Sequence, residues 1–204
     1  MLSGPDHRDA GDVRRVDAIV VGASAGAVEA LNVLLPALPP ALHAPVIVVV
    51  HLPSSRQSLL AELFASKCQL AVREAADKVE VAEDTIWFAP PGYHLLIERE
   101  RRFALSLEEP LNYSRPSIDV LFESAADVYQ DRLLALVLTG ANQDGAAGAA
   151  VIRARGGLVG VQDPTTALAP TMPSVALARA TPQCVGSLAE LSDFVCAHAL
   201  GRAP

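Results

Sequence analysis

A β-branched run, Ile19-Val20-Val21, stands directly before Gly22-Ala23-Ser24-Ala25-Gly26 and a periodic apolar segment. That order constrains the fold more than any other feature of the chain. Consecutive apolar residues without alternation mark a strand buried on both faces, as in a parallel sheet. Gly22 and Gly26 permit a sharp turn and close packing of a helix on the strand. From Ala27 onward, Val28, Leu31, Leu34 and Leu35 fall on one helical face. The reading is strand, tight turn, helix, with Ser24 at the strand's carboxyl end above a helix N-terminus. Free backbone N–H groups at such a place stabilise developing negative charge.

Three functions suit this turn. A dinucleotide fingerprint needs a glycine where Ser24 stands and an acidic residue about twenty positions on. Val46 to Val50 occupies that region, which counts against a cofactor. Gly22 to Gly26 also matches G-x-S-x-G, the nucleophile elbow. The third reading is a serine that only caps a helix. On this turn alone the capping serine is the favoured reading, and the rest of the chain has to decide.

The remaining chain alternates strands and helices. Pro36 to Pro45 is a proline-rich loop, and Val46 to Val50 is a second buried strand ending at His51-Leu52-Pro53. Ser54 or Ser55 caps a helix using Leu59, Leu60, Leu63 and Phe64, and a short strand follows near Leu70 to Arg73. Val79 to Phe88 and Tyr93 to Leu107 alternate, which predicts an antiparallel hairpin insert turning at Pro90-Pro91-Gly92, with a second turn at Arg99 to Arg102. Glu108 to Arg115 is a loop. Pro116 and Ser117 start a helix whose apolar face is Ile118, Leu121, Phe122, Ala125 and Tyr129. Leu133 to Leu138 is a strand, followed by a helix that Gly156-Gly157 stops. Leu158 to Val161 is a strand, and helices near Ser174 to Ala180 and Leu188 to Leu200 finish the chain.

This pattern predicts an α/β fold: a doubly wound, mostly parallel sheet with helices on both faces and an antiparallel hairpin insert. Residues 1–16 read as a flexible tail and 17–204 as one domain. With 51% hydrophobic but only 4% aromatic residues, the core must be built from Ala, Val, Leu and Ile. A net charge of −7 argues against nucleic acid as a partner. Cys68, Cys184 and Cys196 are widely spaced, lack a CxxC pair, and read as reduced, mostly buried thiols of a cytoplasmic protein without a metal cluster. No apolar run is long enough to insert in a membrane.

Active sites of such sheets lie at the carboxyl ends of strands. Ser24, His51 and Asp144 all stand there. Acyl transfer requires those three types: a nucleophile, a base for its proton, and a carboxylate that orients the imidazole. Each also has a plainer use, His51 bonding to a carbonyl and Asp144 capping the helix after Gly145. His94 is the competing base, expected to face outward from the hairpin, and Asp163 is the competing carboxylate, expected to serve a turn. His7, His43 and His198 fall in a tail, a loop and a terminal helix. The order Ser, His, acid, with the serine after the first strand, excludes an ordinary α/β-hydrolase.

At these residues the chain resembles the catalytic domain of the chemotaxis receptor methylesterases, the CheB family. Gly22 to Gly26 is similar to the family's Gly-Ala-Ser-x-Gly turn, and His51-Leu52-Pro53 to its His-x-Pro. Pro91-Gly92-Tyr93-His94 resembles its proline-glycine-x-His segment. Arg115 to Phe122 resembles Arg-Pro-Ser-x-Asp-x-Leu-Phe, and Leu138 to Gly145 resembles Leu-Thr-Gly-x-Gly-x-Asp-Gly. Gln162-Asp163 and Met172-Pro173 also fall where the family places such pairs. The matches run in order from about Val16 to Leu200.

The resemblance implies Ser24 as nucleophile, His51 as general base and then acid, and Asp144 as its orienting carboxylate. It implies hydrolysis of glutamate γ-methyl esters on methylated chemoreceptor helices, with release of methanol, and deamidation of certain glutamines. No metal or organic cofactor is implied; a separate response regulator or signalling protein is a further candidate partner. Two departures bear on the oxyanion site. Ala25 stands where the family usually has Thr, and Gly-Met-Gly becomes Gly140-Ala141-Asn142, where Asn142 cannot freely copy a glycine conformation. The N–H groups of Ala25 and Ala141 are the candidate oxyanion donors; losing one such donor costs on the order of 10² to 10³ in rate. Family members commonly carry an N-terminal receiver domain, and the expectation here is a catalytic domain without one. Two other functions stay open: a binding or scaffolding module with impaired turnover, and a small-molecule esterase on the same fold.

Overall fold

The computed structural model describes residues 14–51 and 58–201. Nine strands are found among them: β1 (Ala18–Ala23), β2 (Val46–Val50), β3 (Ala71–Glu74), β4 (Thr85–Phe88), β5 (His94–Ile97), β6 (Phe103–Ser106), β7 (Leu133–Val137), β8 (Leu158–Gln162) and β9 (Cys184–Gly186). Seven form one parallel sheet in the order β3-β4-β2-β1-β7-β8-β9, and β5 pairs antiparallel with β6. The helices are α1 (Ala27–Leu34), α2 (Leu60–Ala65), α3 (Ile118–Tyr129), α4 (Ala146–Ala154), α5 (Thr171–Ala180) and α6 (Leu188–Leu200).

The strands are apolar throughout because both faces are covered. Along β1, Ala18 and Val20 join the core under α3, α4, α5 and the β5–β6 hairpin, while Ile19, Val21 and Ala23 join the core under α1, α2 and α6. Val46 to Val50 divides in the same way. The sheet is therefore the doubly wound, parallel one its sequence predicts. β1 lies between β2 and β7, so the chain departs from it in opposite directions and leaves a crevice at its carboxyl end.

Several local expectations are corrected. Thr85 to Phe88 is not a hairpin arm; it is β4, paired parallel with both β2 and β3. All four of its residues are buried, the mark of an interior strand, whereas the alternation read there came from residues before it. The hairpin is shorter and turns at the second expected place, where Arg101 N donates to Glu98 O at 2.9 Å. Gly22 lies inside β1 rather than in the turn, and only Gly26 has a left-handed φ, of 83°. Val28 faces away from the core, as do Leu59 and Leu63, and the buried face of α1 is Ala27, Ala30, Leu31 and Leu34. Pro36 lies in a short 3₁₀ turn, Leu35–Ala37, before the loop proper. The edge strand β9 was not foreseen; three residues are too few to show a periodicity. Val16, assigned to the tail, is buried, and its N–H donates to His198 O at 3.1 Å. The expected caps Ser54 and Ser55, like His7, lie outside the described residues.

Candidate active site

The strand register brings the sequence-predicted residues to one crevice. Ala23 pairs with Val50, so Ser24 and His51 follow side by side on strands that run roughly 4.8 Å apart. On the other flank β1 pairs with β7, and Ser24 N donates to Thr139 O at 2.9 Å just past that strand's end. Asp144 closes the loop from β7 into α4. His51 Nε2 and Asp144 Oδ2 stand 2.8 Å apart. Ser24, partly exposed, makes no side-chain hydrogen bond among the described residues.

Asp144 is completely buried, and its carboxylate is held from several sides. Oδ1 accepts from Ser117 Oγ at 2.8 Å, Asn112 Nδ2 at 3.1 Å and Asp119 N at 3.1 Å. Oδ2 accepts from Ile118 N at 2.7 Å as well as facing His51. Burial alone would push this carboxyl up. The bonds from His51, Ile118, Asn112 and Ser117 outweigh it and bring the group down to about 2. Asp144 does not cap α4, whose N-cap is Gly145 at φ 88°; it caps α3, taking that helix's first two N–H groups.

Asp119, also buried, lies beside it. Asp119 Oδ1 accepts from Gly148 N at 2.7 Å and Oδ2 from Asn112 Nδ2 at 3.0 Å. Burial pushes its carboxyl up to about 6; the Gly148 bond opposes this, and the neighbouring Asp144 charge adds to it.

A second set of bonds shapes the serine turn. Thr139 is buried; its Oγ1 donates to Ala25 O at 2.7 Å and accepts from Ala169 N at 2.9 Å. Its own N–H donates to Gln162 Oε1 at 2.9 Å. Ala25 and Ala141 are both exposed on the crevice rim, and their N–H groups meet no acceptor among the described residues. Asn142 needs no glycine-like conformation: it is not among the positive-φ residues, and its Oδ1 accepts from Asp144 N at 3.1 Å.

The competing residues have other duties. His94 does not face outward; it is buried, with Nδ1 accepting from Ser117 N at 3.1 Å and Nε2 3.1 Å from Glu109 O. Asp163 serves its turn, accepting from Thr165 N and Oγ1 at 2.8 Å. His43 lies beside Asp84, and His198 beside Phe194 and the carbonyl of Arg14. The three cysteines are free and half-buried, and burial pushes each thiol up. Among the described residues no cluster of His, Cys, Asp or Glu is placed to hold a metal. Asn112, Ser117, Asp119 and Thr139 are the contributors that sequence reasoning left without a role. The Arg115 to Phe122 motif was the signal for Ser117 and Asp119, and the Leu138 to Gly145 motif for Thr139; Asn112 had none.

This geometry can be set beside known proteins. The CheB methylesterase family model matches residues 19–195. The chain belongs to the CheB methylesterase family. The crystal structure of the Thermotoga maritima CheB methylesterase catalytic domain superposes with a TM-score of 0.85 at 29% identity, covering 89% of this chain and 97% of that one. A Leptospira interrogans protein in the protein-glutamate methylesterase/protein-glutamine glutaminase class by name is 41% identical over 178 residues, 87% of this chain and 92% of the relative. A Trichodesmium erythraeum protein-glutamate methylesterase/protein-glutamine glutaminase is 37% identical over 164 residues, 79% of this chain and 47% of the relative. The chain thus spans nearly the whole of the first relative and about half the length of the second. Among the described residues, no helix of this CheB-family domain is long and apolar enough to cross a membrane.

Proposed function

We propose that residues 17–204 are a serine-type protein-glutamate methylesterase domain, with Ser24 as nucleophile, His51 as general base and acid, and Asp144 as the carboxylate that orients it. The substrate is a glutamate γ-methyl ester on the cytoplasmic helices of a chemoreceptor or related signalling protein, and the protein works in the cytoplasm. The observation that carries this reading is the 2.8 Å contact between His51 and a fully buried Asp144 at the strand end beside Ser24.

With Nε2 turned to Asp144, Nδ1 is the ring nitrogen left for the serine proton. Ser24 Oγ attacks the ester carbonyl as that proton passes to His51. The N–H groups of Ala25 and Ala141 stabilise the oxyanion. Collapse breaks the carbon–methoxy bond, His51 returns the proton to the leaving oxygen, and methanol departs. Water, deprotonated by His51, then cleaves the acyl-enzyme and restores Ser24 with a free glutamate carboxylate. Glutamine deamidation follows the same steps with ammonia as the leaving group. Asp144 stays ionised throughout, because a carboxyl held at about 2 does not take the imidazolium proton.

The test is methanol release from a methyl-esterified receptor cytoplasmic segment by the native chain and by Ser24→Ala. Release by the native chain only is the expected result. No release from either, across several receptors, would favour a binding module. Hydrolysis of small esters without receptor demethylation would favour a small-molecule esterase.

A further inference from the structure

The mechanism above uses Asp144 but leaves its buried neighbour Asp119 idle. The loop between β6 and α3 passes over both carboxylates. At Asn112 and Tyr113 its backbone takes left-handed φ values of 52° and 61°. Such conformations are unusual outside glycine, though asparagine tolerates them better than most residues. Here the strain places one amide nitrogen between two acids. Asn112 Nδ2 lies 3.0 Å from Asp119 Oδ2 and 3.1 Å from Asp144 Oδ1, so each of its two hydrogens meets a different carboxylate.

We propose that Asn112 and Asp119 are positioning residues: Asp119 fixes the Asn112 amide, and the amide holds the Asp144 carboxylate in the orientation that receives His51. The inference rests on the catalytic reading given above. Asp119 is well anchored for the task. Its other oxygen is bonded to Gly148 N on α4, and its own N–H donates back to Asp144 Oδ1. The arrangement also sets the charge that His51 faces. Among the described residues, His51 is the only basic side chain within ion-pair distance of either carboxylate. The other charged or titratable groups around Asp119 are few. Glu123, one turn along α3, adds negative charge. His94 on β5 accepts the Ser117 N–H, and Arg115 is committed to the carbonyls of Leu107 and Glu108. Asp119 is thus a second acid behind the catalytic one, its carboxylate linked to that of Asp144 through the Asn112 side-chain amide.

Two variants separate this role from simple support of the fold. Asn112→Gly removes the amide while accepting the left-handed backbone. Asp119→Asn removes the charge and one of two acceptors. We expect each to lower kcat for methanol release by roughly tenfold or more, the effect of weakening one charge-assisted hydrogen bond. KM should stay within about twofold. Because both act through one bond, the double variant should lose no more than the worse single variant. In Asp119→Asn the acid limb of kcat/KM, and the ring resonances of His51 followed by NMR without substrate, should move to lower pH, since a nearby negative charge is gone. Multiplicative losses in the double variant, or His51 resonances that titrate unchanged in Asp119→Asn, would overturn the proposal. If Asp119→Asn does not fold, Asn112→Gly decides alone: an unchanged kcat would overturn it. The NMR titration needs no turnover, so it tests the coupling even where the methylesterase reading fails.

Discussion

Replacing Gly22 by alanine should disable the site from within β1, by displacing the start of α3. An added Cβ at Gly22 would stand 3.0 Å from Ile118 Cδ1, 3.1 Å from Cγ1, and closer still to Cγ2. Ordinary carbon contacts are about 3.5 to 4.0 Å, so Ile118 would have to retreat by roughly 1 Å. Ile118 is the first residue of α3, and its N–H donates to Asp144 at 2.7 Å. A retreat of that size takes the bond beyond normal hydrogen-bond length. Overpacking of this kind costs about 1–3 kcal/mol, which in a domain of this size lowers Tm by roughly 2 to 12 °C. Loss of a hydrogen bond to a charged group, about 1.5–3 kcal/mol, lowers kcat by roughly 10- to 100-fold where the bond is needed in the transition state. The assays are thermal unfolding and methanol release. Ile118→Ala alone leaves a cavity, but paired with Gly22→Ala it removes the clash. The double variant should therefore be more stable than the sum of the single effects by about 1–3 kcal/mol. A Gly22→Ala protein that unfolds within about 1 °C of the native chain and turns over at the native rate would refute the claim that Gly22 makes room for the helix start that holds Asp144.

Thr139→Val should slow methanol release and lower stability by about 1–3 kcal/mol, because it strands the Ala25 carbonyl and the Ala169 N–H that its hydroxyl joins. Thermal unfolding and initial rates read both effects. The two buried acids should act on stability in opposite directions. Asp144, held at about 2 against an ordinary 3.8, contributes about 2 kcal/mol above pH 4 that is lost as pH falls from about 4 to 2. Asp119, raised to about 6, takes up a proton in the folded protein first, so its contribution to stability grows as pH falls from about 7 to 4. Urea midpoints across this range should show Asp144→Asn without the first dependence and Asp119→Asn without the second.

The strand ends were legible in the sequence because uniform apolar runs announce buried parallel strands, and such strands deliver their next residues to one edge. Ser24, His51 and Asp144 were found on that logic. The hairpin was misplaced because alternation near Val79 and Val81 was extended into Thr85 to Phe88, which sheet partners on both sides override. Asp144's surroundings were hidden for a different reason. Its donors come from Asn112, Ser117, Ile118 and Asp119, 25 to 32 residues away with α3 and β7 between, and no local propensity connects a loop asparagine with a carboxylate that far along the chain. His94 was misjudged likewise: a polar residue in a hairpin reads as exposed unless the buried N–H of Ser117 and carbonyl of Glu109 that meet it are known.

The most direct measurement is the rate of methanol release from a methyl-esterified receptor segment by Ser24→Ala, His51→Gln, Asp144→Asn and the triple variant. If the three residues act as one unit, Ser24→Ala and the triple variant fall to the same background, with His51→Gln close to it. Ser24→Ala retaining a substantial fraction of native release would contradict the assignment of Ser24 as the nucleophile.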